Sequence, residues 1–310
     1  MPRGEYLVAL ELARRFVYRC ARPLELARWQ YHFGGGTVEA VERALAVYQN
    51  PDGGFGHAIE PDLWNPASTP IGTWAATAIM REVGINGGRL VEGVLRYLDS
   101  GADFDAEHNQ WLNCVPGNND HPHAVWWEYS EGGDQFMYNP TAALAGFIVR
   151  YADRSSRLYK KGCALARQAY EFLIGREPFG EQHVTGCFIE LYDYLSDSGA
   201  GLVDMEKFRS RLSEQVNFNL CRDTSKWAAE YVARPIDFFN TRDSVFYADN
   251  REAAEYQCEF IAKSQQPDGG WPVTWQWWND YREFELAANW WRADFAVKNM
   301  LYLKNFGILG

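Results

Sequence analysis

The chain has 310 residues, enough for one large hydrophobic core or for two domains. Its net charge of −11 argues against a nucleic-acid partner and weighs against a polyanionic substrate. No apolar run approaches the roughly 18 residues that a membrane span needs, and the opening MPRGEYLVALELARRF is broken early by charge, so it reads as neither a signal peptide nor a span.

The six cysteines are scattered without a CxxC pair, which points to reduced thiols in a cytoplasmic protein. No Ser/Gly- or Pro-rich linker interrupts the chain, so residues 1–310 read as a single domain.

In chain order, Leu7, Leu10, Ala13, Phe16 and Val17 recur at helical spacing over 4–19. A second helical piece follows at 23–31, and Gly34-Gly35-Gly36 breaks it. Thr37 is placed to cap a helix over Val38–Tyr48. Ser68 or Thr69 caps the next, which runs to about Val83 with Pro70 in its first turn and Gly84 at its end. That helix is rich in Ala and Thr and poor in charge, as expected of an inner helix packed all round. The more charged Arg89–Leu98 reads as an outer helix.

Residues 100–138 show no clear period. They hold Asp103, Asp105, Asp120, His121, His123, Trp126, Trp127, Glu128 and Asp134. A loop this long in a compact domain is usually functional or disordered, and its aromatic residues argue against disorder. Asn139 is placed to cap an inner-type helix over 140–152. Helices are expected near 158–174, 182–196 and 204–219, then at 251–264 and 283–305 after a less regular stretch over 226–248. No convincing strand emerges.

One motif occurs twice. Gln49-Asn50-Pro51-Asp52-Gly53-Gly54-Phe55 returns as Gln265-Gln266-Pro267-Asp268-Gly269-Gly270-Trp271, with Asp268 standing 216 positions after Asp52. Pro cannot extend a helix, and Asp-Gly-Gly is turn chemistry with free access to positive φ. The motif therefore reads first as a structural clasp between helices. At roughly 40–45 residues per helical hairpin, the spacing amounts to about five steps, and the two copies mark the first and last of about six hairpins.

QNPDGGF and QQPDGGW resemble the glutamine–tryptophan repeat of the terpenoid cyclases and protein prenyltransferases. The resemblance covers the two motifs and the spacing between them, and similar turns occur in α/α-barrel polysaccharide lyases. It implies an all-α fold, an (α/α)5–6 toroid or double ring of hairpins. In such a ring the loops 49–68, 100–138, 174–182, 219–226 and 264–283 gather on one rim, where a site is expected.

Glu60 and Asp62 flank Pro61 in the first rim loop, and a carboxylate beside Trp64 and other apolar walls can act as a general acid. A helix cap or a pairing with Arg is the structural alternative. His57 stands beside them as an acid–His partner or a structural histidine, and Asp237 is placed to meet Glu60 or Asp62 across the ring. Thirteen Trp, seventeen Tyr and eighteen Phe suit an aromatic-lined cavity. Trp64, Trp126, Trp127, Glu128, His123, Trp271, Trp275 and Trp278 are the candidate substrate-binding residues, with Trp277 a further wall residue. His121-Pro122-His123 is a weak metal pattern, so no metal site is assigned and any cofactor stays unknown.

Familiar signatures are absent. Asp103-Phe104-Asp105-Ala106 keeps only part of the Asp-x-Asp-Asp element of protonating cyclases. There is no Asp-Asp-rich magnesium motif and no Asp-x-Cys zinc pair. The expectation is a cyclase-like enzyme that takes a small, apolar, isoprenoid-type substrate, with its oligomeric state open. A carbohydrate-active hydrolase or lyase on the same scaffold and a non-catalytic binding protein are the alternatives.

Overall fold

The structure is a computed structural model that describes residues 2–133 and 136–309; Asp134, noted above in the long loop, lies outside them. Among the described residues the chain is predominantly helical. It comprises α1 (Arg3–Cys20), α2 (Pro23–Phe33), α3 (Val38–Ala46), α4 (Pro70–Val83), α5 (Arg89–Ser100), α6 (Thr141–Tyr151), α7 (Arg157–Ile174), α8 (Gln182–Ser198), α9 (Met205–Asn219), α10 (Arg251–Lys263) and α11 (Phe284–Asn305). The helices group into two compact units. One holds residues up to Ala44, Val216–Gln276 and those from Arg282 onward; the other holds Leu45–Gln215 and Trp277–Tyr281.

Local chemistry accounts for the helix ends. Thr69 accepts from Gly72 N at 2.9 Å, Pro70 occupies the first turn, and Gly84 stops α4 in the left-handed region at φ 77°. Thr37 Oγ1 caps α3 through Ala40 N. This helix ends at Ala46, short of Tyr48, where Tyr48 N bonds Leu45 O and Gln49 N bonds Ala46 O in a tighter turn, and the Tyr48 carbonyl accepts from Gly56 N.

The expected Asn139 cap is not formed. Its side chain instead faces the Cys187 thiol, and Pro140 holds the N-cap position. A short strand pair also appears where none was expected: Phe104–Asp105 lies antiparallel to Gln110–Trp111. The rings of Phe104 and Trp111 meet edge-on at 5.0 Å, an aromatic cross-strand contact that holds so short a ladder.

In the second unit, burial distinguishes two kinds of helix. No residue of α4 is fully exposed, and α6 is buried from Thr141 to Val149. In α5 and α7 only one face is buried. Helix α6 packs on α7 and α8, and α4 and α5 pack on α6. Leu144, Phe147 and Ile148 are wholly buried on α6. Each such side chain contributes about 1.5–3 kcal/mol relative to exposure. In the first unit, α1, α2, α10 and α11 pack together.

The two copies of the motif have the same geometry. Gln49 Nε2 donates to Gly53 O and Gln265 Nε2 to Gly269 O. Gly54 N donates to Asp52 Oδ1 and Gly270 N to Asp268 Oδ1. Gly53 and Gly269 share φ 97°. Each glutamine also reaches a neighbouring helix, Gln49 to Leu90 O of α5 and Gln265 to Ala9 O of α1. Three residues further along those helices, a Cβ on Gly53 would strike the backbone of Gly93 and one on Gly269 that of Leu12. Helix α1, from the start of the chain, thus occupies beside the second clasp the place that α5 holds beside the first.

Candidate functional site

Asp62 is positioned by a run of backbone constraints. Gly56 N is tied to Tyr48 O, and the next two residues, His57 and Ala58, take left-handed φ of 56° and 57°. Consecutive non-glycine residues in that region are costly and persist where surrounding structure imposes them. The chain then runs against the 121–124 segment: Trp64 N donates to Pro122 O at 3.0 Å and Ala124 N to Asp62 O at 2.9 Å, with Leu63 opposite His123. A third segment joins through Val125 N to Trp277 O and through Asn279 Nδ2 to His123 O.

These three segments enclose the Asp62 carboxylate, 2% exposed. The indole Nε1 of Trp277, itself buried, donates to Asp62 Oδ1 at 2.7 Å. Glu60 is also buried, and Leu63 N donates to its carbonyl.

His123 is buried and its ring lies 5.7 Å from that of Tyr281. Its Nδ1 is 2.6 Å from His121 O. A carbonyl oxygen can only accept, so Nδ1 bears the hydrogen and Nε2 is the basic nitrogen of the neutral ring.

Amide side chains brace the aromatic segment. Asn65 Nδ2 donates to Asn118 Oδ1, Asn118 Nδ2 donates to Trp127 O, and Asn119 exchanges two hydrogen bonds with the Tyr129 backbone. Trp126 and Trp278 meet edge-on at 5.8 Å; Trp278 is 67% exposed and takes φ 54°. Trp64 anchors its indole N–H on Pro61 O.

The structure therefore brings together Glu60, Asp62, His123, Trp64, Trp126, Trp127 and Trp278 in one unit. Glu128 lies in the same stretch but is exposed. His57 points elsewhere: it is exposed, and its Nε2 contacts Asn50 Oδ1 of the first clasp. Asp237, Trp271 and Trp275 belong to the other unit. There Asp237 is exposed and Oδ2 accepts from Arg234 N, capping its own turn. Trp271 is buried with its N–H on Ile261 O, and Trp275 packs edge-on to Tyr231, Trp291 and Phe295.

The hydrogen bond from Trp277 to Asp62 and the roles of Asn65, Asn118, Asn279 and Tyr281 were not anticipated from sequence. The Asn118-Asn119 doublet beside two histidines was the available signal. Among the described residues, no group of three or more His, Cys, Asp or Glu side chains is arranged to hold a metal ion. No helix there is long and apolar enough to cross a membrane.

The arrangement offers a buried carboxylate held by an indole N–H, a buried histidine held through Nδ1, and tryptophans in the same segments. Compared with protein-family models, curated proteins and solved structures, the chain matches none.

Proposed function

We propose that the protein is an α/α-toroid enzyme of terpenoid-cyclase type, in which Asp62 protonates a small, apolar, isoprenoid-like substrate. The observation that carries this reading is the buried Asp62 carboxylate held by the Trp277 indole N–H among aromatic segments. The Trp277 N–H holds the carboxyl in place, and indole faces stabilise a carbocation by about 0.5–2 kcal/mol per contact. The alternation of wholly buried and one-face-buried helices, together with two clasps of equal geometry, supports the toroid. The cysteines are free thiols, which fits a reducing, cytoplasmic setting.

The test is turnover of linear polyprenes, with and without a diphosphate, followed by mass spectrometry of the extracted products. Asp62→Asn should keep its far-UV circular dichroism and lose about 10²–10⁴-fold in rate. Unchanged turnover in that variant removes Asp62 from the chemistry.

A second reading, carbohydrate binding or cleavage, is favoured by the exposed Trp278 set edge-on to Trp126. An indole presented to water suits stacking on a sugar face.

A further inference from the structure

Helix α7 carries its charge at the end where a helix resists it. Its first turn holds Arg157 and Lys160 and no acid. A helix N-terminus is a positive pole, so acids are favoured there and cations disfavoured. Helices α1, α2, α3, α5, α9, α10 and α11 all place an acid in the first turn. Helices α4, α6 and α8, which lack one, open without Lys or Arg.

The mismatch extends past that turn. In a chain of net charge −11, six cations stand against one carboxylate between Arg150 and Arg167. The carboxylate is Asp153, and its Oδ1 already accepts from Ser155 N and Ser155 Oγ. Lys161 is turned onto the Phe104 ring, 3.4 Å from its centre, and Arg154 donates to Ser198 O. Arg157, Lys160 and Arg167 remain. All three are exposed, and none forms an ion pair among the described residues. Their spacing puts them on one face of α7, where like charges repel.

We propose that this face of α7 is a docking surface for an acidic segment of a partner protein. Carboxylates arriving at helical spacing relieve the repulsion, and the positive end of the helix adds to the attraction. The strip runs about 15 Å along the axis from Arg157 to Arg167, more than one phosphate or carboxylate can fill.

Other polyanions fit less well. Among the described residues no large apolar side chain of α6 or α7 is exposed, so nothing there enters a bilayer or stacks on single-stranded bases. A nucleic-acid duplex extends past the strip and meets a chain that is acidic overall. The surface shares no residue with the Asp62 cluster and does not depend on the cyclase reading.

The experiment is fluorescence anisotropy of the full chain with a labelled Glu/Ala peptide whose Glu residues recur every three or four positions. At about 50 mM salt the dissociation constant should fall at about 10–100 μM, and at about 300 mM salt binding should weaken about tenfold. Lys160→Glu with Arg167→Glu should weaken the peptide about tenfold or more. Lys207→Glu with Arg209→Glu makes the same change in net charge on exposed residues of α9 and should weaken it by less than about threefold. Far-UV circular dichroism checks that both variants fold; if the first does not, Lys160→Gln with Arg167→Gln replaces it, with about a threefold loss expected.

The proposal is overturned if the peptide does not bind, or if the two double variants lose binding equally, which would assign it to net charge alone. It is also overturned if a DNA duplex or phosphatidylserine vesicles bind more tightly than the peptide through Lys160 and Arg167.

Discussion

The indole Nε1 of Trp277 donates to Asp62 Oδ1 at 2.7 Å, linking residues 215 positions apart in the chain. Both side chains are buried, so the bond is screened from water. Trp277→Phe keeps a ring in place and removes the donor. We expect a loss of about 1–3 kcal/mol, the usual cost of removing one hydrogen bond from a buried polar group. Urea denaturation at pH 7 measures it, and a loss below about 0.5 kcal/mol would mean that Asp62 does not depend on this bond.

The clasps make a paired prediction. Gly53 and Gly269 combine φ 97° with backbone contact against Gly93 and Leu12. Alanine at either position meets both backbone strain and a collision, each worth about 1–3 kcal/mol. Gly53→Ala and Gly269→Ala should therefore destabilise by similar amounts, about 2–6 kcal/mol each. A large cost at one position and none at the other would break the equivalence of the two turns.

Arg28 and Asp294 form a buried ion pair, Nη1 to Oδ1 at 2.6 Å, and Lys298 contacts the second carboxylate oxygen at 2.8 Å. Burial alone would raise the Asp294 carboxyl, but Lys298 and Arg28 hold it well below the usual carboxylate range. A folded pKa below the unfolded one gives stability that is present above about pH 4 and lost as the pH falls toward the folded value. Asp294→Asn removes the negative charge that Arg28 and Lys298 both contact and should cost up to about 3–5 kcal/mol at pH 7. That difference should shrink below about pH 4, as read from urea midpoints across pH.

Asp193 has the opposite sign. Burial pushes its carboxyl up to about 6, Arg81 pulls it down, and Asp197 adds to the rise. The folded state then holds a proton that the unfolded state has released between about pH 4 and 6, so this group's contribution falls as the pH rises through that window. Asp193→Asn removes the titration. The melting temperature of wild type minus variant should therefore decline from about pH 4 to 6 and level off above it. A difference that is flat across the window would show that the carboxyl titrates normally.

Local signals carried most of the helix pattern. The Thr69 cap followed by Pro70 and the stop at Gly84 depend on neighbours within a few residues, and both appear in the fold; the helix expected over 4–19 also forms, but it buries Tyr6, Ala9, Ala13, Phe16 and Val17 and leaves Leu7 exposed. The clasps were legible because the same turn chemistry is written twice. What escaped depends on distant partners. Asn139 looks like a cap, but Cys187, 48 positions away, faces its side-chain oxygen. Asp237 looks like a rim carboxylate, but Arg234 N claims it for a turn. That Trp277 would be the one to grip Asp62 could not be read from either residue's surroundings in the chain.

The second clasp joins Ala9 to Gln265, 256 positions later in the chain, and sets Gly269 against Leu12. During synthesis α1 leaves the ribosome long before its clasp exists, and the surface that later packs on α10 and α11 must wait until those distant helices are made. A ribosome that stalls before residue 265 releases a product with that face of α1 uncovered. Products truncated before α10 should therefore expose this face of α1 and be bound by chaperones or degraded faster than the intact chain.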